Sequence, residues 1–184
     1  MNDSGVPFYP LRGGRTHEVC GPGGYAFAFA LAAQLDGPCM WVREQWDTSQ
    51  INPNGFADFV APSKFTLCNT KDQTQTLAVA EEALRAGVVS LVVTALNKPL
   101  GLTEGRRLQL AAREGKSTGL AIIPDGMGSN AAETRWRCAP VFDPIDSTLQ
   151  KWELIKNKSG TLGIWHVRWK PTSRRLIVVS PAGE

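Results

Sequence analysis

At 184 residues, 42% hydrophobic and 20% charged, the chain is long enough to bury one substantial core, and its composition excludes a wholly disordered or collagen-like protein. Twenty basic residues nearly balance 17 acidic ones for a net charge of +3, which permits nucleic-acid contact without demanding it. No apolar run approaches the roughly 20 residues of a membrane span, and the opening MNDSGVPFYP has neither a basic nor an apolar leader region, so a soluble cytoplasmic protein is expected.

Glycine and proline at positions 5, 7, 10, 13 and 14 mark residues 1–15 as an N-terminal arm; residues 16–180 read as one domain and 181–184 as a tail. Thr16–Cys20 reads as a strand, Gly21-Pro22-Gly23-Gly24 as a tight turn, and Tyr25–Leu35 as an Ala-rich helix stopped before Gly37-Pro38. A strand at Cys39–Val42, a short helix around Asn54–Phe59 and a strand at Phe65–Cys68 follow. Gln73–Ala86, ended by Gly87, puts Leu77, Ala80, Ala83 and Leu84 on one face and Glu81, Glu82 and Arg85 on the other, the pattern of a helix laid on a sheet. Val88–Ala95 is an almost wholly apolar run, as expected of a central parallel strand buried on both faces. A helix from Thr103, its expected cap, to Lys116 precedes a strand at Leu120–Ile123. Beyond Pro124 no long helix recurs: a loop spans Asp125–Asn130, and Thr134–Cys138, Trp152–Lys156, Ile164–Lys170 and Arg174–Val179 read as an antiparallel final third. The fold class expected is α/β, a mainly parallel sheet flanked by helices, with C-terminal antiparallel strands.

The glycine turn has the placement of a phosphate-binding loop, between a first strand and an apolar helix. Such a loop needs G-x-x-x-x-G-K-[ST]: its backbone N–H groups cradle phosphate, the lysine neutralises charge and the hydroxyl holds Mg²⁺. Over Gly21, Pro22, Gly23, Gly24, Tyr25, Ala26, Phe27 and Ala28, the second glycine is Ala26, the lysine is Phe27 and the hydroxyl residue is Ala28. An acidic residue is also required at the end of a buried strand to organise Mg²⁺, and Leu91-Val92-Val93 ends in Thr94 and Ala95 instead. The turn is therefore expected to be a plain strand-to-helix connection, with Phe27 packed into the core or filling a former nucleotide cavity. The cysteines Cys20, Cys39, Cys68 and Cys138 form no C-x-x-C, and His17 and His166 are far apart; reduced buried thiols, no metal and no cofactor are expected. No Ser-His-Asp or Cys-His motif suggests hydrolase chemistry.

Several stretches together resemble one family: Gly14-Arg15-Thr16-His17-Glu18-Val19-Cys20-Gly21-Pro22, Glu81-Glu82-Ala83-Leu84-Arg85-Ala86-Gly87, Leu102-Thr103, Arg106-Arg107-Leu108-Gln109-Leu110-Ala111-Ala112, Glu133-Thr134-Arg135-Trp136-Arg137 and Leu154-Ile155-Lys156-Asn157-Lys158. In order and spacing, from about Pro10 to Lys170, they are similar to the RecA-like ImuA family, accessory proteins of damage-induced (SOS) mutagenesis and translesion synthesis. The resemblance implies a RecA-like fold with a degenerate P-loop, and aligns Gln45 with the catalytic glutamate of RecA proteins, so that ATP hydrolysis is not expected. It implies an ImuB-type polymerase-like partner and an error-prone polymerase. RecA itself, weak DNA contact and a further copy of the chain stay open as partners. The related SulA-type cell-division inhibitors are the alternative reading, and a non-hydrolysing single-stranded-DNA-binding module is a third.

Candidate contact residues come from basic positions beside aromatics, a pairing that suits protein hot spots and single-stranded DNA alike. They are Arg135, Arg137, Arg168 and Lys170, joined by Arg106 and Arg107 on the helix after the fourth main strand and by Lys156 and Lys158. In Ile164–Lys170, alternation puts Trp165, Val167 and Trp169 on an expected core face and His166, Arg168 and Lys170 on an exposed one. The Lys156-Asn157-Lys158 element resembles a RecA hairpin that reaches a neighbouring subunit's nucleotide, and reads equally as a solvated turn. The connections at 96–102 and 125–130 are short for DNA-binding loops, so DNA contact is expected to be weak or absent.

Overall fold

The computed structural model describes residues 5–49 and 51–181, the last two by backbone alone; the first four residues of the arm, and the tail from 182, lie outside the described residues. The strands are β1 (Thr16–Cys20), β2 (Cys39–Glu44), β3 (Phe65–Thr70), β4 (Leu91–Ala95), β5 (Thr118–Ile122), β6 (Thr134–Pro140), β7 (Gln150–Asn157), β8 (Gly163–Lys170) and β9 (Arg175–Pro181). They form one sheet in the order β3-β2-β4-β5-β1-β6-β7-β8-β9. Every pairing from β3 to β6 is parallel, and those from β6 to β9 are antiparallel.

One expectation is corrected here. Thr134–Cys138 was expected in the antiparallel third, yet β6 lies parallel to β1, with Val19 opposite Trp136, and antiparallel only to β7. Alternation of buried and exposed residues has the same period in either direction, so local pattern carries no strand direction.

The helices are α1 (Gly24–Gln34), α2 (Pro53–Phe56), α3 (Gln73–Ala86) and α4 (Leu102–Gly115). α1 packs on one face of the sheet and α3 and α4 on the other, giving two apolar clusters. α1 is buried over Phe27–Ala32, and a helix that is apolar nearly all round must be covered nearly all round. The cover comes from the arm, through Val6, Tyr9 and Leu11, and from Trp169 and Leu176 of the antiparallel strands. Trp169 fixes that cover: its ring stacks on Phe59 at 5.0 Å and its indole N–H donates to the Asp58 carbonyl at 3.0 Å.

α3 has the bounds its pattern predicts, because both ends are marked locally. The Asp72 side chain accepts from the Gln75 N–H at 2.9 Å, and Gly87 ends the helix in the left-handed region at φ 67°, as C-capping favours. α4 starts one residue before Thr103, on Gly101 and with no side-chain cap, so Thr103 is a helical residue and not the cap. β4 is buried at all five positions, but it begins at Leu91; Val88, taken into the strand by its apolar character, is 73% exposed. All four cysteines are free and sit on strands, three of them buried. Burial pushes the Cys20 thiol up to about 11 and raises that of Cys138 well above its ordinary value, which keeps both protonated and unreactive at neutral pH. Among the described residues no helix is long and apolar enough to cross a membrane.

Candidate functional site

The glycine turn joins β1 to α1 at the carboxyl ends of the parallel strands, where open α/β sheets bind ligands. Here it is pressed against β6. The Gly23 N–H donates to the Cys138 carbonyl at 2.8 Å, and Gly24 N–H to Gly21 O at 3.0 Å. Gly21 lies in the left-handed region at φ 86°, and a Cβ there would meet Cys138 O at 2.5 Å; one on Gly23 would meet Gln150 Oε1 at 2.8 Å and the Cys138 carbonyl carbon at 2.9 Å. Glycine is required by close packing against β6, and the Gly23 and Gly24 amides already have protein acceptors.

One turn into α1, Phe27 is wholly buried. Its ring lies 4.6 Å from that of Trp152, 5.5 Å from Tyr9 and 5.6 Å from Trp136. Ala28 is buried too, and the first turn of α1 carries no acidic residue. At the end of β2 the acidic residue is Glu44, because the strand runs two residues past Val42; Gln45 follows it, exposed, with its N–H on Thr70 O at 2.8 Å. Glu44 is 4% exposed and accepts from the Trp46 indole N–H at 2.6 Å. By alternation with Val42 it faces the α3–α4 side, opposite α1. Thr94 is buried on that same side.

The eight basic candidates do not form one surface. Arg135 donates to Glu18, which is 1% exposed, at 2.7 Å and to Ser129 O at 2.9 Å. Lys156 donates to the carbonyls of Ser129, Asn130 and Ala132 at 3.2, 2.9 and 2.6 Å, and Lys158 to that of Ala131 at 2.6 Å. Burial, and then the Arg135 and Lys158 charges, hold Lys156 below its ordinary pKa. These three cations pin the loop between β5 and β6. Arg137 pairs with Asp125 at 2.9 Å and Arg168 with Asp143 and Asp146 at 2.6 and 3.3 Å, while Arg107 pairs with Glu81 at 2.7 Å. Arg106 and Lys170 are exposed and make no ion pair among the described residues.

His17 anchors the other end of this region. Its Nε2 meets the Arg12 carbonyl at 3.0 Å, which can only accept, so Nδ1 is the unprotonated nitrogen and takes the Thr134 hydroxyl proton at 2.7 Å. The Trp136 indole N–H closes the chain on Thr134 Oγ1 at 3.1 Å. Burial lowers the His17 pKa to about 4.

No family model and no curated protein matches the chain. Among the described residues no group of three His, Cys, Asp or Glu side chains could hold a metal ion.

Of the eight cations, the fold brings Arg106 and Lys158 to one groove, of about 480 Å³, with Leu102, Gln109, Leu110, Asn130 and Ala131. The leucines of that groove escaped the sequence reading, although Leu102 and Leu110, 47% and 65% exposed, fall on one helical stripe through Arg106. Phe142 and Ile145, almost fully exposed in the β6–β7 loop, were missed as well; apolar residues in a Pro- and Asp-bearing turn give no periodic signal.

Proposed function

We propose that this chain is a non-hydrolysing RecA-like accessory protein of damage-induced translesion synthesis, similar to the ImuA family, acting by binding an ImuB-type polymerase-like partner. The observation that carries the reading is the packing of Phe27. A ring buried against Tyr9, Trp136 and Trp152 occupies the position where a phosphate-binding loop holds its lysine, beside a turn whose Gly23 amide is bonded to Cys138. A triphosphate there would lack the lysine counter-charge and the Gly23 amide together.

The parallel sheet, entered by strand, glycine turn and apolar helix and extended by antiparallel strands, supports the RecA-like frame. With the nucleotide positions given to packing, function moves to the outer surfaces. Direct DNA binding takes second place, because Arg135 and Lys156 spend their donors on the protein's own carbonyls and carboxylate and are not free for phosphates. The test is co-expression with the ImuB-type protein and with the tubulin-like division protein, followed by affinity purification. Recovery of the first supports the proposal; recovery of the division protein alone moves the chain to the SulA-type branch.

A further inference from the structure

The groove beside α4 differs from the sites of Arg107, Arg137 and Arg168 in the company its charges keep. One wall is the exposed stripe of α4, with Leu102, Arg106 and Leu110; the other is Asn130, Ala131 and Lys158. Its lining has two cations and no carboxylate, whereas Arg107, Arg137 and Arg168 each face an acidic neighbour. The far wall is also held rigid. Lys156 bonds the carbonyls of Ser129, Asn130 and Ala132 in the loop that carries this wall, Arg135 makes a further contact at Ser129, and the Gln109 amide reaches Ala131 O at 3.4 Å. A loop held by that many donors presents a preformed surface, which lowers the ordering cost of binding.

The lining also selects the class of ligand. Bases of single-stranded nucleic acid bind on aromatic platforms, and this groove has no aromatic ring in its lining. Its apolar groups are two leucines and an alanine, the complement of an amphipathic helix laid in a groove, and its unopposed cations favour carboxylates flanking that helix's apolar face. We propose that this groove docks an acidic amphipathic helix of a partner protein, the α4 leucines receiving its apolar face and Arg106 and Lys158 its carboxylates. The inference rests on the reading of the chain as a binding protein, and adds the surface and the chemistry of the partner segment.

The test uses the full chain and a fluorescent helical peptide with leucines along one face and glutamates beside them, followed by anisotropy at physiological ionic strength. A scrambled peptide of the same composition and an oligo(dT) serve as competitors. Saturable binding is expected, weakened about tenfold by Leu110→Ser and about tenfold by Arg106→Glu, with the scrambled peptide and oligo(dT) competing poorly. Both side chains are exposed, and unchanged melting temperatures verify that the variants fold. Absence of saturable binding overturns the proposal, as does binding insensitive to Leu110→Ser, or displacement of the peptide by oligo(dT). If the peptide binds while the ImuB-type protein fails to co-purify, the groove stands and the family partner falls; the opposite pair of results removes the groove alone.

Discussion

Phe27 shows how one side chain can decide between binding a ligand and filling a core. Its contacts with Tyr9, Trp136 and Trp152 join the arm, α1, β6 and β7, so Phe27→Ala should cost about 3–5 kcal/mol of stability, read as a lower urea midpoint. Phe27→Lys should destabilise at least as much, by burying an unpaired ammonium, and should not create nucleotide binding, since the Gly23 amide remains bonded to Cys138. His17 makes the second prediction at this scale. Its folded pKa is lowered from 6.5 to about 4, so the unfolded chain binds the proton more readily. The stability that this neutral histidine carries is complete above about pH 6.5 and is lost as pH falls toward 4. The difference is worth roughly 3 kcal/mol. Urea melts from pH 7 to 4 should show that loss, and His17→Gln should flatten it; equal slopes for the two proteins would contradict the assignment.

At the scale of elements, the glycine turn and the β5–β6 loop are both set by contacts distant in sequence. Gly23→Ala would drive a methyl group to 2.9 Å from the Cys138 carbonyl carbon, backbone that cannot recede without moving β6, so a loss of about 1–3 kcal/mol is expected. Lys156→Met removes the donor shared by three carbonyls; faster amide exchange across residues 126–133, with the rest of the sheet protected, is the expected result. These contacts explain what could and could not be read beforehand. α3 was legible because Asp72 and Gly87 mark its ends within its own sequence. The direction of β6, the late start of β4 and the capless start of α4 were not, because each follows from neighbours far along the chain. For the same reason Arg135 and Lys156 read as surface cations: nothing local announces that they bond carbonyls of the loop over residues 129–132.

For the whole molecule, one nine-stranded sheet with an apolar cluster on each face buries Phe27, Ala28 and Thr94. The carboxylate of Glu44 is buried on the α3–α4 side and bonded to Trp46. On the proposed reading, the role of the molecule is binding at the Arg106–Lys158 groove. The most direct measurement of this account is the melting temperature of the full chain across a titration with ATP and Mg²⁺. A ligand at a hundred times its Kd stabilises by about 2.7 kcal/mol, enough to move the transition visibly. The account predicts a melting temperature that stays constant through the titration; a saturable rise would mean that Phe27 and the glycine turn yield to nucleotide, and would contradict it.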